Sequence, residues 1–425
     1  MTLRLRARIV LPVTEPPIED GAICVQGERI AWCGPWKSRP ATSDGPVIDL
    51  GEQILLPGLI NAHCHLDYTG LAGLLVAPRS FTDWIKGLVA LKASWSGAEF
   101  AESWRRGAEM LLRTGTTTVA DVEAMPELLP DIWNSTPLRV LSFRELIHLK
   151  PGPGARQMVD KAAEDLEGLH AKSGRVALSP HAAYSTTADL LEAAASQAQK
   201  RGWRLMTHVS ESDEEFEMFM YRQGPMFEWL KGQREMSDCG LGSPIQHLDR
   251  IGYLAENLLA VHVNHLWRHD AGLLGRNKVS VVHCPRSHAY FHHLKFPREE
   301  LERAGVNICL GTDSLASIRR SGTEAPSTGS GQAPELDMFA EMRALLEAAP
   351  RLSPESILRM ATINAGRALG RGHELGWLGE GASADMIAVP FAGERKTVFE
   401  GLMQHRGRVS ASLIAGQWAI EPAQP

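Results

Sequence analysis

The chain repeats one pattern: a short apolar run, a helical stretch closed by glycine, then another apolar run. Eight runs follow it, at Gly58–His63, Thr116–Asp121, Leu138–Phe143, Arg175–Ser179, Trp203–His208, Leu258–Val263, Val279–His283 and Val306–Gly311. Many of their positions are continuously apolar, as expected for parallel strands covered on both faces. The helical stretches Phe100–Arg113, Ala188–Lys200 and Arg298–Ala304 are closed by Gly115, Gly202 and Gly305. Glycine just past a helix supplies the left-handed turn into the next strand. Eight strands separated by helices predict an α/β fold of the closed (β/α)8 TIM-barrel kind. No Gly-x-Gly-x-x-Gly turn follows the first strand, which disfavours an open dinucleotide-binding sheet. The last barrel helix is expected to start at Ser353-Pro-Glu-Ser and stop at Gly370.

The flanks differ in character. Residues 1–57 and 379–425 carry short alternating runs such as Ala22–Val25, Arg29–Trp32, Met386–Val389 and Ser412–Ile420. These predict a small composite β-sandwich domain built from both chain ends, around a catalytic barrel over 58–378. Two barrel connections are long. Residues 209–257 include a charged, Met-rich helical stretch at Asp213–Met220, and residues 318–335 are rich in Ser, Gly, Thr and Pro. The second reads as a mobile loop.

Charge narrows the partners. The chain holds 44 basic and 50 acidic side chains, net −6, so it has no basic surplus for a phosphate backbone. Nucleic acid is therefore not an expected partner. No segment approaches the roughly 18 unbroken apolar residues of a membrane span, and the N-terminus alternates arginine with apolar residues like a strand with one wet face. Six cysteines, far apart and without a Cys-x-x-Cys pair, do not make a disulfide framework. The expected location is cytoplasmic, with a small-molecule substrate and a homo-oligomer compatible with the sequence.

The sixteen histidines carry the chemistry. His63-Cys64-His65 closes the first barrel strand, where a repeat of two points both imidazoles to one side. Alone, His-x-His is a weak motif. However, His208 ends the fifth strand, His262 lies in the sixth, His283 ends the seventh, and Asp313 follows the eighth. Barrel strand ends converge on one mouth, so these residues predict a mononuclear divalent-metal site, for zinc or iron(II). Glu211, three residues past His208, reaches the same mouth or else complements the dipole of the helix starting near Ser212. The fourth strand has no lysine, so a carbamylated lysine bridging two metals is unavailable there.

Leu56-Pro-Gly-Leu-Ile-Asn-Ala-His-Cys-His-Leu66 resembles the first-strand signature of the amidohydrolase superfamily. The likeness continues through Gly115-Thr-Thr-Thr-Val-Ala-Asp121, Ser179-Pro-His-Ala-Ala-Tyr184, Thr207-His-Val-Ser-Glu211, His283-Cys-Pro-Arg-Ser287 and Leu310-Gly-Thr-Asp-Ser-Leu-Ala-Ser317, and closes with Gly381-Ala-Ser-Ala-Asp-Met-Ile. Within that superfamily the chain looks most like the branch that deaminates aminated purines and related rings. The resemblance implies His63, His65, His208 and Asp313 as metal ligands, Glu211 as proton shuttle and His262 as the residue orienting the attacking hydroxide. It implies hydrolytic deamination of an adenosine derivative or aminodeoxyfutalosine. Hydrolysis of another C–N bond, dechlorination, and an inactive metal-binding scaffold stay open as alternatives. Substrate contacts are expected from His181, Tyr184, Arg144, Glu145, Trp84, His283 and Arg286. The chain departs from its relatives at Arg319-Arg320 and the Gly/Ser-rich insertion, and no ribose-gripping glutamate is evident between Trp84 and Trp95.

Overall fold

The computed structural model describes residues 2–40, 45–75, 80–173, 176–318 and 334–423. The insertion expected to be mobile, with Arg319-Arg320, lies outside the described residues from 319 to 333.

Five strands precede the barrel: β1 (Thr2–Val10), β2 (Ile18–Gln26), β3 (Arg29–Pro35), β4 (Val47–Asp49) and β5 (Gln53–Pro57). The barrel strands are β6 (Leu59–Cys64), β7 (Thr116–Glu123), β8 (Arg139–Leu146), β9 (Val176–Pro180), β10 (Leu205–Val209), β11 (Leu258–His262), β12 (Ser280–His283) and β13 (Asn307–Leu310). Then come β14 (Met386–Pro390), β15 (Ala411–Ile414) and β16 (Gln417–Ile420).

Strands β6 to β13 pair in sequence order, all parallel. The ring closes where Cys64 bridges Asp313, with Thr312 N donating to His63 O at 3.0 Å and His65 N to Asp313 O at 3.0 Å. Gly311 permits this approach, because a Cβ there would sit 2.8 Å from the His63 carbonyl oxygen. The barrel interior is a core drawn from all eight strands, including Ile60, Ala120, Phe143, Ala177, Met206, Leu259, Val282 and Cys309. Ala365, Ala368 and Leu369 join that core from the last helices. The intervening strand residues turn outward to the helical layer.

The chain ends form one sheet in the order β16-β15-β14-β5-β1-β2-β3, with β4 beside β1. Leu3 and Leu5 of β1 share a core with Leu55, Met386 and Leu413, so residues from both ends pack together. The alternation of β1 is as read: its arginines are half-buried and Leu3, Leu5 and Ala7 are buried.

The expected single helix from Ser353 to Gly370 is instead two, Pro354–Met360 and Ile363–Ala368. Thr362, at φ −134° and ψ −101°, breaks it, with its hydroxyl donating to Leu358 O at 2.6 Å. A threonine hydroxyl bonded back to the i−4 carbonyl weakens the helical ladder at that point. All six cysteines are free thiols. Among the described residues no helix is long and apolar enough to cross a membrane.

Candidate metal centre

His63, His65, His208, Asp313 and His262 meet at the C-terminal end of the barrel, all buried. The Nε2 of His208 lies 3.3 Å from Nε2 of His63 and 3.4 Å from Nε2 of His65. Asp313 Oδ1 is 3.6 Å from His63 Nε2 and 3.9 Å from His65 Nε2. Two donor groups result, His63–His65–His208 and His63–His262–Asp313, each with ligand atoms within 4.8 Å of one another.

The neighbours fix which atom each side chain presents. His208 Nδ1 bonds the His181 carbonyl at 2.7 Å, leaving Nε2 for the centre. His63 Nδ1 faces the Met206 sulfur at 3.0 Å, and His65 stacks on Tyr68 with rings 3° from parallel. Asp313 Oδ2 accepts from Ser287 at 2.7 Å and Ser317 at 2.8 Å, so Oδ1 turns inward. Outer partners of this kind orient ligands.

Electrostatics suit a cation. Burial holds the His65 and His208 imidazoles well below their ordinary pKa, and neighbouring histidines add to it, so both stay neutral donors. Burial alone would raise Asp313, but the hydrogen bond from His63 and the facing imidazoles hold it below the usual carboxylate range. His262 Nε2 is buried without a hydrogen-bond partner, although Glu211 Oε1 is 3.3 Å away. Neutral imidazoles, an ionised carboxylate and an orphaned ring nitrogen aimed at one point fit a divalent ion.

Glu211 takes the opposite state. Burial pushes its carboxyl well above the ordinary range, with Asp313 and Glu215 adding to the shift. It does not cap the helix Asp213–Tyr221, whose cap is Ser212. Its backbone is held instead, with N donating to Glu215 at 2.8 Å and O accepting from Asn264 at 2.9 Å.

A cavity of about 290 Å³ opens beside these groups. His181, Tyr184, Glu145 and Trp84 line it, together with His65, His208, Glu211 and Asp313. Three expected contacts lie elsewhere. Phe143 belongs to the barrel interior, so strand alternation sends Arg144 outward, towards Glu127 and Asp165. Val282 and Cys284 face inward, so His283 turns out and stacks on Phe296 at 3.8 Å. Arg286 donates to the Glu335 carbonyl at 2.8 Å and faces Glu341 at 3.7 Å, away from the cavity. The repeat of two, read against the apolar positions of β8 and β12, carried the signal for the first two.

Sequence reasoning missed other wall residues. Lys92 donates to the Tyr68 hydroxyl and sits 4.0 Å from Glu145. Trp229, Ile147 and Leu149 add apolar wall. Glu214 accepts from Phe81 N at 3.0 Å and Thr82 N at 2.9 Å, tying the wall helix Phe81–Lys92 to the segment that carries Glu211.

The sequence profile of the amidohydrolase family matches residues 54–418. The chain belongs to the amidohydrolase family. Among its amidohydrolase relatives, a 5-methylthioadenosine/S-adenosylhomocysteine deaminase of Syntrophobacter fumaroxidans is 30% identical over 396 residues, covering 88% of this chain and 80% of the relative. A zinc-bound adenosine deaminase from Xanthomonas campestris superposes with a TM-score of 0.81 at 25% identity, covering 98% of this chain and 92% of that one. The Helicobacter pylori aminofutalosine deaminase superposes at 0.83 and 19% identity, covering 98% and 100%, and shares the fold.

Proposed function

We propose that this amidohydrolase is a hydrolytic deaminase of an aminated purine, with an adenosine derivative as substrate. The observation that carries the reading is Glu211: a carboxyl that burial pushes well above the ordinary range, on the wall of the cavity that also holds the clustered imidazoles and Asp313. One carboxyl shifted up beside another held down is an arrangement that divides acid from base work.

His63, His65, His208 and Asp313 would hold one divalent cation, zinc by preference and iron(II) as the other ion this donor set accepts. When bound, the ion supplies acidity to a water molecule and so a nucleophile at neutral pH. The side chains do the rest. Glu211 donates its proton to the ring nitrogen beside the amino-bearing carbon, making that carbon electrophilic. Asp313 accepts a proton from the incoming water, with Oδ2 fixed by Ser287 and Ser317. His262, against Glu211, orients the water. As the tetrahedral carbon collapses, a proton reaches the amino group, ammonia leaves and a carbonyl remains. Trp84, Tyr184, His181 and Glu145 position the ring and its substituent. The domain boundaries we assign are 57/58 and 378/379.

The related deaminase from Syntrophobacter fumaroxidans supports the substrate class. An ammonia-release screen over adenosine derivatives, aminodeoxyfutalosine, guanine, cytosine and triazines tests it. Release from adenosine derivatives is the expected result; release from none of these compounds removes the deaminase reading.

A further inference from the structure

Apart from histidines, the acidic and basic residues that line the cavity beside the metal centre are Glu211, Asp313, Lys92 and Glu145. The first two carry the proposed acid and base work. Lys92, at the end of the wall helix Phe81–Lys92, and Glu145, near the end of β8, face each other across 4.0 Å. That separation is beyond hydrogen-bond length, so neither satisfies the other. The Glu145 side chain is only 8% exposed, and among the described residues no hydrogen bond reaches its carboxylate. A carboxylate so enclosed normally has donors around it. An ammonium has three N–H donors, and Lys92 places one on the Tyr68 hydroxyl. Asp67, also close to Lys92, is buried and does not line the cavity.

The pair stands one layer out from the metal ligands. Tyr68 lies against His65 with ring centroids 4.8 Å apart, and the Lys92 ammonium sits 4.3 Å from the Tyr68 ring centre. On the opposite wall the His181 ring is 4.9 Å from that of His208, and the charge of Glu145 acts on His181. Further out the wall is apolar, ending at Val89 and Ile147, which are exposed at the mouth. A ring whose amino-bearing carbon reaches the ligands therefore has its first substituent within reach of Lys92 and Glu145.

We propose that Lys92 and Glu145 together bind the two neighbouring hydroxyls of a ribose, so that the substrate is a ribonucleoside and not a free base or a deoxynucleoside. The proposal rests on the purine-deaminase reading and specifies its substrate. Facing charges of opposite sign suit a group without net charge, since an anion there would meet Glu145 and a cation would meet Lys92. A hydroxyl both donates and accepts. Two on adjacent carbons donate to the Glu145 carboxylate while one accepts from Lys92, which fills the gap between the charges with charge-assisted hydrogen bonds. The 2′- and 3′-hydroxyls of ribose are such a pair, and an aminated base alone has none.

Isothermal titration of the metal-loaded protein with inosine and with 2′,3′-dideoxyinosine tests the subsite. Neither ligand has an amino group to lose, so binding is read without turnover. Inosine is expected to bind about tenfold or more tightly than the dideoxy compound. Glu145→Gln and Lys92→Met each weaken inosine by about tenfold and leave the dideoxy compound at its native affinity. Equal affinity of the native protein for the two ligands overturns the proposal. So does a Glu145→Gln variant that weakens both alike, which is the result of a purely structural role. A preference for inosine in a protein that releases no ammonia from adenosine supports the diol subsite and removes the deaminase reading alone. Binding of neither ligand removes both.

Discussion

The ring of His262 lies 3.3 Å from Oε1 of Glu211, on the side of the strand that alternation would deny it. Leu259 and Val261 of β11 face the barrel interior, so His262 should turn outward. Left-handed backbone at His262 (φ +74°) and Val263 (φ +49°) turns the strand end over and brings the ring inward. Strain of this kind gathers where a side chain must be aimed. With Glu211 as proton donor, Glu211→Gln should keep its metal and lose activity by about 10²–10⁴-fold. Ammonia release and elemental analysis of the same preparation measure both. Wild-type turnover in that variant would falsify the donor role.

His63 belongs to both donor groups. His63→Ala should lower metal content and activity together, and full metal occupancy in the purified variant rejects its role as a ligand.

Ser287 and Ser317 both hold one oxygen of Asp313. Replacing either with alanine should weaken metal binding by about tenfold, as loss of outer partners does. Competition against a chelator gives the affinity, and an unchanged value would leave Asp313 oriented by the barrel alone.

Trp84 packs on Phe81 and Phe291 and presents its ring to the cavity. Trp84→Ala should raise KM by about tenfold while leaving metal content intact. A fall in kcat at constant KM would instead indicate a role in the chemical step.

His247 offers a pH test away from the centre. Burial lowers its pKa from 6.5 to about 4, partly opposed by Asp238. The folded value lies below the unfolded one, so the neutral ring favours the fold. That contribution is complete above about pH 6.5 and declines as pH falls towards about 4. Urea midpoints of His247→Gln should fall less steeply across this window than those of the native chain. Parallel curves would show that other groups carry the acid sensitivity.

Much of the site was legible because strand ends and glycine stops are local signals. His63, His65, His208 and Asp313 fall at the ends of apolar runs, and the barrel brings such ends together. Arg144 and His283 were misplaced for a local reason too: each sits at a strand end, but its neighbours Phe143 and Val282 take the inward positions. Lys92 and Glu214 gave no readable signal, since their partners Glu145 and Phe81 are distant in sequence.

The sequence by itself determined the barrel, the joining of both chain ends in one β-domain and the strand ends where the candidate ligands stand, because periods of two and 3.6 and glycine turns are properties of short segments; that the β-domain is one sheet was not legible. Tertiary structure decided what each side chain does there. It turned His262 inward through left-handed backbone, pushed the Glu211 carboxyl above its ordinary range by burial, and fixed one oxygen of Asp313 with two serines. Burial and partnership depend on elements far apart in the chain, so no short segment encodes them.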